Sequence, residues 1–405
     1  MRAAVIGASS ESIYTIGKAK EMGIEVVALD GDPNAPGLKA ADKSFVVDIR
    51  DVEKVLEVLD ENRPDVILPV PIGRYLTTTG AVNDHYGLCG VSEHAAKLCT
   101  DKYEFHRILS ERGLRNAELY LIPAGCEYSN PDELNEQFPV VVKPRFGSGS
   151  RGVQIFNTRE DLVKGFLLEQ PYDEDYCIES CIEGPEYGVD GVFTDGIFHL
   201  ILLRGKRNTL PPYRECVGYY SIIEDEENKA FFEKVKDLMQ KTGEALGFEN
   251  NLIHADIIKD VNGKPFIIET SARPSGHNLH NLFTPMASGV DEVVEFIKYA
   301  LPDLGRRYVF EPNVKKHMVI RYFDFENVRV NKVPDENLLR EKYPLKAWNC
   351  NIENGMTLGK VTNGASIMGR GFFILEGSSK EELDRLCDEI KSEFEVELVT
   401  VSDRI

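Results

Sequence analysis

The sequence lacks the patterns that mark membrane, secreted and zinc-binding proteins. It contains no apolar run of about 18 residues, and the opening MRAAVIGAS enters a predicted strand without a signal-peptide pattern. Its 8 cysteines are scattered, and no two are spaced as a C-x2-C pair. We therefore expect reduced thiols, no structural zinc and a cytoplasmic location.

The sequence also has fewer basic than acidic residues. The chain has 47 lysine and arginine residues against 67 aspartate and glutamate residues, which gives a formal net charge of −20. Such a chain repels nucleic acid and anionic membranes, so any polyanion that it binds must be held in a local cationic pocket. We expect small molecules as partners, neither nucleic acid nor membrane, and a homodimer as the candidate assembly.

The N-terminal region lacks the glycine pattern of a dinucleotide site. Apolar runs alternate with helical patterns at Arg2–Ile6, Glu25–Leu29, Ser44–Val47 and Val66–Val70. This alternation predicts a parallel sheet covered by helices. A nicotinamide site requires G-x-G-x-x-G, and here Gly7 stands alone. We expect the loops at Gly7–Ser12 and Pro71–Arg74 to face a ligand held by a neighbouring domain.

A hairpin pattern is present at residues 252–270. Two apolar runs, Leu252–Ile258 and Pro265–Thr270, flank Asn262-Gly263, which is typical of a two-residue type I′ turn. That register places Asp256 opposite Glu269. Facing carboxylates repel by roughly 3 kcal/mol at an effective dielectric of about 20, so a buried pair needs a cation, most simply Mg²⁺. The alternative is a shifted register with both acids in solvent.

A second motif is the segment PVVVKPRFGSGSRGV. The predicted strand Val140–Val142 leads to Lys143, and the following loop, Arg145–Gly152, combines glycine and serine with two arginines. Backbone amides and cations in this arrangement suit a polyphosphate, whereas the alternative is an ordinary surface hairpin.

Lys102 opens a predicted helix with Thr100 or Asp101 as its N-cap. A lysine there is unfavourable unless it is exposed or an anion lies nearby.

Three further segments carry weaker signals. The strand Tyr176–Ser180 leads into an acidic loop that could enclose an adenine. The segment Arg207–Tyr219 is predicted to be irregular and to form an active-site loop. Residues 302–405 show strands and one clear helix, Lys380–Glu393, without a cluster of reactive side chains.

Together these segments resemble the ATP-grasp superfamily over about the first 300 residues. The motifs that carry the resemblance are TDKYEFHRIL, VVVKP with its glycine loop, IESCIEGPE, HADII and IIETSAR. The resemblance implies an α/β fold with a Rossmann-like, parallel-sheet domain at residues 1–98 and a two-part α+β grasp at residues 99–305. A lid is implied at about residues 115–180, and an α+β cap at residues 306–405.

The resemblance also implies roles for individual residues. Lys102 and Lys143 would bind the ATP phosphates under a loop that contains Ser148, Gly149 and Ser150. Glu179 and the backbone near Ile182 would bind adenine, and Glu186 the ribose. Asp256 and Glu269 would hold one or two Mg²⁺ ions, with Mn²⁺ as a substitute, and Arg273 would stabilise the acyl phosphate. Substrate contacts are expected from His254, Arg214, Ser275, Gly276 and His277. Ser271 stands where the family usually has asparagine, which makes a second metal ion less secure.

Within the superfamily the sequence is most similar to the L-amino-acid ligases that form dipeptides. This similarity implies transfer of a phosphoryl group from ATP to a carboxylate, followed by attack of an amine to give an amide, ADP and phosphate. The alternatives are a purine-pathway or carboxylase-type ATP-grasp ligase and a non-catalytic ATP-binding module. A nicotinamide dehydrogenase is a more distant alternative.

Overall fold

The computed structural model describes residues 1–115, 119–125, 138–147, 152–167, 173–209, 215–361 and 364–399. The predicted glycine-loop residues Ser148, Gly149 and Ser150 lie outside these ranges, as does Arg214. The described chain forms four sheets with helices packed on them. No helix among these residues is long and apolar enough to span a membrane.

The N-terminal part forms the predicted parallel sheet, in the order β3-β2-β1-β4. Its strands are β1 (Arg2–Ile6), β2 (Glu25–Asp30), β3 (Lys43–Val46) and β4 (Val66–Ile67). Its helices are α1 (Ser12–Glu21), α2 (Pro36–Ala40), α3 (Val52–Glu61) and α4 (Leu76–Tyr86). Successive residues of β1 enter two different hydrophobic clusters, because neighbouring side chains point to opposite faces. Both faces of the sheet are therefore covered.

A smaller sheet follows, in the order β5-β8-β6-β7. Its strands are β5 (Leu119–Ile122), β6 (Val140–Pro144), β7 (Gln154–Phe156) and β8 (Tyr176–Ser180), with α7 at Arg159–Gly165. Two helices precede it, α5 (Glu93–Thr100) and α6 (Lys102–Glu111). Asp101 is the N-cap of α6, as predicted, because its carboxylate accepts the backbone N–H groups of Tyr103 and Glu104. The sheet lies within the segment predicted to form the lid.

The central sheet is antiparallel, in the order β13-β12-β9-β10-β11-β14-β18-β16. Its first strands are β9 (Glu186–Thr194), β10 (Ile197–Asn208), β11 (Cys216–Ile222), β12 (Asn251–Lys259) and β13 (Pro265–Ser271). The C-terminal strands β14 (His317–Tyr322), β16 (Leu345–Cys350) and β18 (Gly371–Gly377) continue the same sheet. The prediction of an irregular segment at Arg207–Tyr219 was therefore wrong at both ends. β10 runs to Asn208, and β11 begins at Cys216 because its apolar residues pair with β10 and β14.

The remaining elements pack against this sheet. The third small sheet has the order β17-β15-β19, with β15 at Val328–Lys332, β17 at Thr357–Leu358 and β19 at Glu395–Leu398. The later helices are α8 (Lys229–Leu246), α9 (Thr284–Ser288), α10 (Glu292–Ala300), α11 (Glu336–Lys342), α12 (Gly364–Met368) and α13 (Lys380–Ser392). Leu279–Phe283 forms a π-helical turn and Pro302–Leu304 a 3-10 turn. α8 buries its apolar stripe against β12, which fixes the position of the hairpin that follows.

The β12–β13 hairpin has the predicted pairing at the site and a different turn. Asp256 pairs with Glu269 and His254 with Ser271, as predicted. However, only Gly263 of the turn has a positive φ, and the N–H of Asp260 bonds to the carbonyl of Lys264, so three residues form the loop. The resulting one-residue offset is cancelled by an irregularity in the pairing after Asp256. The three-residue loop and the irregular pairing after Asp256 shift the register in opposite directions, so the predicted pairs at Asp256 and His254 are present.

Candidate active site

Two cavities meet where the C-terminal end of β13 approaches the loop after β4. The first has a volume of about 450 Å³, and its wall includes Lys102, Phe146, Gly147 and Glu174. The second has a volume of about 300 Å³, and its wall includes Glu11, Lys206, Tyr219, His277 and Tyr322. Both are lined by Ile72, Gly73, His254, Glu269 and Arg273. The predicted platform loops therefore face the site.

Lys102 lies at the first cavity, at the start of α6. Its ammonium donates a 2.6 Å hydrogen bond to the carbonyl of Gly147, where the glycine loop begins. Burial lowers the pKa of Lys102, and the nearby carboxylate of Glu269 opposes this shift. The unfavourable position of a lysine in the first helical turn is thus offset by the carboxylate of Glu269 and the carbonyl of Gly147, and both residues line the first cavity.

Lys143 lies in a buried cluster of charged side chains beside His106 of α6, and it is not part of the described wall of either cavity. Lys143 and Glu179 are each 4% exposed and form an ion pair. The same carboxylate accepts a 2.5 Å bond from Arg115 and lies 3.2 Å from His106. Burial raises the pKa of Glu179, but Lys143, His106 and Arg115 outweigh that effect and hold it well below its ordinary value. The cluster combines three basic side chains with one carboxylate.

Glu179 was predicted to bind adenine. In the structure both carboxylate oxygens are bound to cations. A contact with adenine would require an ion pair to break, so this role stays a prediction. Arg115 and His106 were missed from the sequence, although a lysine predicted inside a buried strand could have prompted a search for its counterion.

The predicted adenine and ribose contacts follow β8. Ile182 is half-buried in the loop, and Glu186 begins β9, where its carboxylate lies 3.5 Å from Lys206. Between them, a Cβ on Gly184 would lie 2.0 Å from the carbonyl oxygen of Lys259, so only glycine fits this approach to β12. Neither Ile182 nor Glu186 lines the described walls of the two cavities.

Asp256 and Glu269 face each other, but the cation beside them is a lysine. The ammonium of Lys206 on β10 lies 2.8 Å from Oδ2 of Asp256, and Oδ1 is buried without a hydrogen-bond partner in the described part of the chain. Burial lowers the pKa of Lys206, but Asp256 and Glu186 hold it well above its ordinary value. The described residues contain no group of three or more histidine, cysteine or acidic side chains arranged for a metal. Oδ1 of Asp256 and the carboxylate of Glu269 are nevertheless oxygen ligands of the kind that Mg²⁺ prefers.

Arg273 stands at the border of the two cavities. One nitrogen of its guanidinium donates a 2.7 Å bond to the carbonyl of Pro274, and its Nε is buried without a partner among the described residues. Burial lowers its pKa, and Glu269, Glu11 and Asp256 act in the opposite direction. Arg273 therefore lines both cavities and keeps an N–H group without a hydrogen-bond acceptor among the described residues.

The second cavity contains most of the predicted substrate residues. The N–H of His277 donates a 2.9 Å bond to Oε1 of Glu11, and the hydroxyl of Tyr322 donates a 2.7 Å bond to the carbonyl of His277. His277 has a φ of 64°, which is a strained conformation for a non-glycine residue. Gly276 lies against Glu11, since a Cβ there would be 3.0 Å from Oε2.

The two remaining described substrate candidates differ. His254 borders both cavities, and its Nδ1 lies 3.2 Å from the buried Arg204. Ser275 is fully buried and lines neither cavity, so the structure does not bring its side chain to the site. The C-terminal region contributes Tyr322, Ile367 and Met368 to the second cavity, so it is part of the site and more than a cap.

These features define the class of fold. The first cavity is lined by residues of the central sheet and by loops that flank the smaller sheet, which is the α/β arrangement of the ATP-grasp fold. Residues 136–280 match the family model of the ATP-grasp domain. The L-amino acid ligase from Bacillus licheniformis superposes with a TM-score of 0.79 at 18% identity over 98% of both chains. Phosphoribosylglycinamide synthetase from Anaerococcus prevotii superposes with a TM-score of 0.71 at 20% identity, covering 98% of this chain and 99% of that one. Both comparisons establish the fold.

A curated relative adds sequence similarity over a shorter stretch. The formate-dependent phosphoribosylglycinamide formyltransferase of Bacillus velezensis is 31% identical over 152 residues. The match covers 36% of this chain and 38% of the relative. The chain therefore matches less than two fifths of the relative's length.

Proposed function

We propose that the protein is an ATP-dependent ligase that joins a carboxylate to an amine through an acyl phosphate. The observation that carries the proposal is the border between the cavities. Glu269 and Arg273 lie between a cavity with Lys102 in its wall and a cavity with Glu11 in its wall. A phosphoryl group held in the first cavity would meet an acceptor held in the second at this border, as transfer between two bound substrates requires.

The chemistry follows from the weakness of a carboxylate as an electrophile. Transfer of the γ-phosphoryl group of ATP to a carboxylate oxygen gives an acyl phosphate and ADP. The amine then attacks the carbonyl carbon, the C–O bond to phosphate breaks, and the amine nitrogen loses a proton to leave an amide and inorganic phosphate.

The side chains divide this work between binding and charge stabilisation. Lys102 and Lys143 would bind ATP phosphates, and Arg273 would donate to the oxyanion that forms when the amine attacks. Glu269, with Asp256 as the second candidate ligand, would hold Mg²⁺, which supplies positive charge to the transferring phosphoryl group when it is bound.

The carboxylates of the second cavity support an amine as the acceptor. Its described wall contains Glu11 and Glu215 besides Asp256 and Glu269, which are assigned to Mg²⁺. Glu11 has one carboxylate oxygen without a partner among the described residues, and this oxygen would attract an ammonium group. We propose an amino acid as the substrate class on this ground.

A second candidate follows from the sequence similarity. The relative named above acts on formate and phosphoribosylglycinamide, so a purine-pathway reaction with formate as the carboxylate is the alternative. The match of 152 residues is too short to include both Glu11 and Tyr322, which line the second cavity. It therefore supports the ATP-binding half of the proposal more strongly than it supports the acceptor.

A substrate panel tests both candidates. Phosphate release with ATP and Mg²⁺ is measured with formate or each amino acid as the carboxylate, and with amino acids or phosphoribosylglycinamide as the amine. We expect release that requires both a carboxylate and an amine. Release with formate and phosphoribosylglycinamide alone would select the second candidate. Calorimetric binding of NAD⁺ without binding of ATP would contradict the ligase proposal.

A further inference from the structure

Lys206 belongs to a row of buried ion pairs that crosses the central sheet. Arg204 and Lys206 lie two residues apart on β10, and each is bonded to an acid on another strand. Arg204 lies 2.7 Å from Asp190, and Lys206 lies 2.8 Å from Asp256. The Lys206 and Asp256 side chains are 11% and 12% exposed. Because buried charges require partners, Asp256 already has a built-in counterion.

The two acids of the predicted metal site share the second cavity, but Glu269 is the one of the pair that also lines the described wall of the first cavity. Glu269 lines both cavities, including the one that contains Lys102 and Gly147. Asp256 and Lys206 line the described wall of the second cavity only. A divalent ion that enters with the ATP phosphates would therefore reach Glu269 from the first cavity. At Asp256 the same ion would have to bind Oδ1 while the Lys206 ammonium is bound to Oδ2 of the same carboxylate, and like charges repel.

We propose that this ligase uses one divalent ion, held by Glu269 with the nucleotide, and that Lys206 replaces a second ion at Asp256. The inference rests on the proposed function, because it assumes that ATP occupies the first cavity. Lys206 then acts as a permanent cation at the end of the site where the acceptor binds. Asp256 then positions Lys206 and is not a metal ligand, which leaves Glu269 as the protein ligand of the ion in the proposed function.

The number of bound ions tests this assignment independently of activity. Mn²⁺ bound to the full chain is counted by electron paramagnetic resonance in the presence of a non-hydrolysable ATP analogue. We expect one Mn²⁺ per chain. Asp256→Asn should retain that ion, whereas Glu269→Gln should weaken its binding at least tenfold. Both substitutions are isosteric and remove one negative charge, so each is the control for the other.

Substitution of the lysine provides the converse test. Lys206→Met frees Asp256 and should raise the count to two, while Lys259→Met, outside the described walls of both cavities, should leave one. Lys206→Met leaves the buried carboxylate of Asp256 unpaired, which destabilises the fold if no ion binds there. The double variant Lys206→Met/Asp256→Asn removes both charges and replaces the single variant if the latter does not fold. It should bind one ion. Two ions in the wild type, or equal loss in Asp256→Asn and Glu269→Gln, would overturn the inference. Absence of nucleotide binding in the wild type would instead refute the proposed function itself.

Discussion

The carboxylate of Glu179 and the ammonium of Lys143 form an ion pair from which solvent is almost excluded. Arg115, equally buried, completes the pairing on the other carboxylate oxygen. This arrangement holds two cations at fixed positions beside α6, the helix whose first residue, Lys102, lines the first cavity. Preorganised cations stabilise transferring phosphoryl groups better than mobile ones, because no reorganisation is needed during the reaction.

Substitution of Lys143 should therefore affect nucleotide binding and turnover. We expect Lys143→Ala to lower kcat by about 10²–10³, the range found when a preorganised donor is removed. Lys143→Arg should also be poor, because the larger planar guanidinium does not fit a site shaped around an ammonium and filled by Arg115. Calorimetry with an ATP analogue and steady-state kinetics measure the two effects, with the exposed Lys164→Ala as the control. Wild-type affinity and turnover in both variants would show that Lys143 is not part of the active site.

Loss of Arg273 should affect turnover more than ATP binding. Arg273 lines both cavities at their border, where the oxyanion would form, and its Nε has no partner among the described residues. We expect Arg273→Ala to cost roughly 3–4 kcal/mol in transition-state stabilisation, and Arg273→Lys to recover little of it. The measurement compares kcat with ATP affinity for an active substrate pair. If Arg273→Ala changes only a substrate KM, Arg273 is a binding residue.

Glu11 should control affinity for the amine. Its Oε1 accepts the His277 N–H, and its Oε2 is buried without a partner among the described residues. A hydrogen bond to a charged group contributes about 1.5–3 kcal/mol, so Glu11→Gln should raise the KM of an ammonium-bearing acceptor by roughly 10–100-fold. ATP affinity should stay unchanged. Glu21→Gln, at the exposed C-terminal end of α1, the helix that Glu11 precedes, is the control. Equal KM values for Glu11→Gln and wild type would contradict the assignment.

Glu292 should make the protein less stable as the pH rises. It is fully buried at the start of α10, and burial followed by the charge of Asp190 holds its pKa well above the ordinary value. The folded state therefore keeps a proton that the unfolded chain releases above about pH 4.3. Stability falls by about 1.4 kcal/mol per pH unit from there up to the folded-state pKa.

Glu292→Gln removes this dependence on pH. We expect its thermal midpoint to exceed that of the wild type at pH 7.5, by a margin that shrinks as the pH is lowered to 5. The exposed Glu57→Gln should show no such change. A margin that is independent of pH would show that Glu292 does not retain its proton.

The local patterns of the sequence were sufficient for most elements and for the metal-site pairing. β1 and β8 have the predicted bounds, and Asp256 pairs with Glu269. The turn between β12 and β13 was predicted wrongly because Asn-Gly favours a two-residue loop locally, whereas the described hairpin adopts three residues and a compensating irregularity. Register was set by burial of the strand faces, which the hydrophobic pattern does report.

Long-range charge pairing was the part that the sequence could not supply. Lys206 and Asp256 are 50 residues apart, and no local pattern in either segment predicts that the two side chains pair. The signal that was available is the spacing of Arg204 and Lys206 on one face of an apolar strand, since buried cations require acids on neighbouring strands. Strand order is needed to identify those acids, and it follows from contacts between distant segments.

The central claim, that a carboxylate is activated as an acyl phosphate, is tested most directly by isotope transfer. Formate and amino acids labelled with ¹⁸O in the carboxyl group are supplied with ATP, Mg²⁺ and the amine panel, and the released phosphate is analysed by mass spectrometry. Phosphoryl transfer to a carboxylate oxygen, followed by attack at carbon, moves one ¹⁸O into phosphate for each amide formed. We predict singly labelled phosphate in equal amount to the amide. Amide formation with unlabelled phosphate would contradict the account.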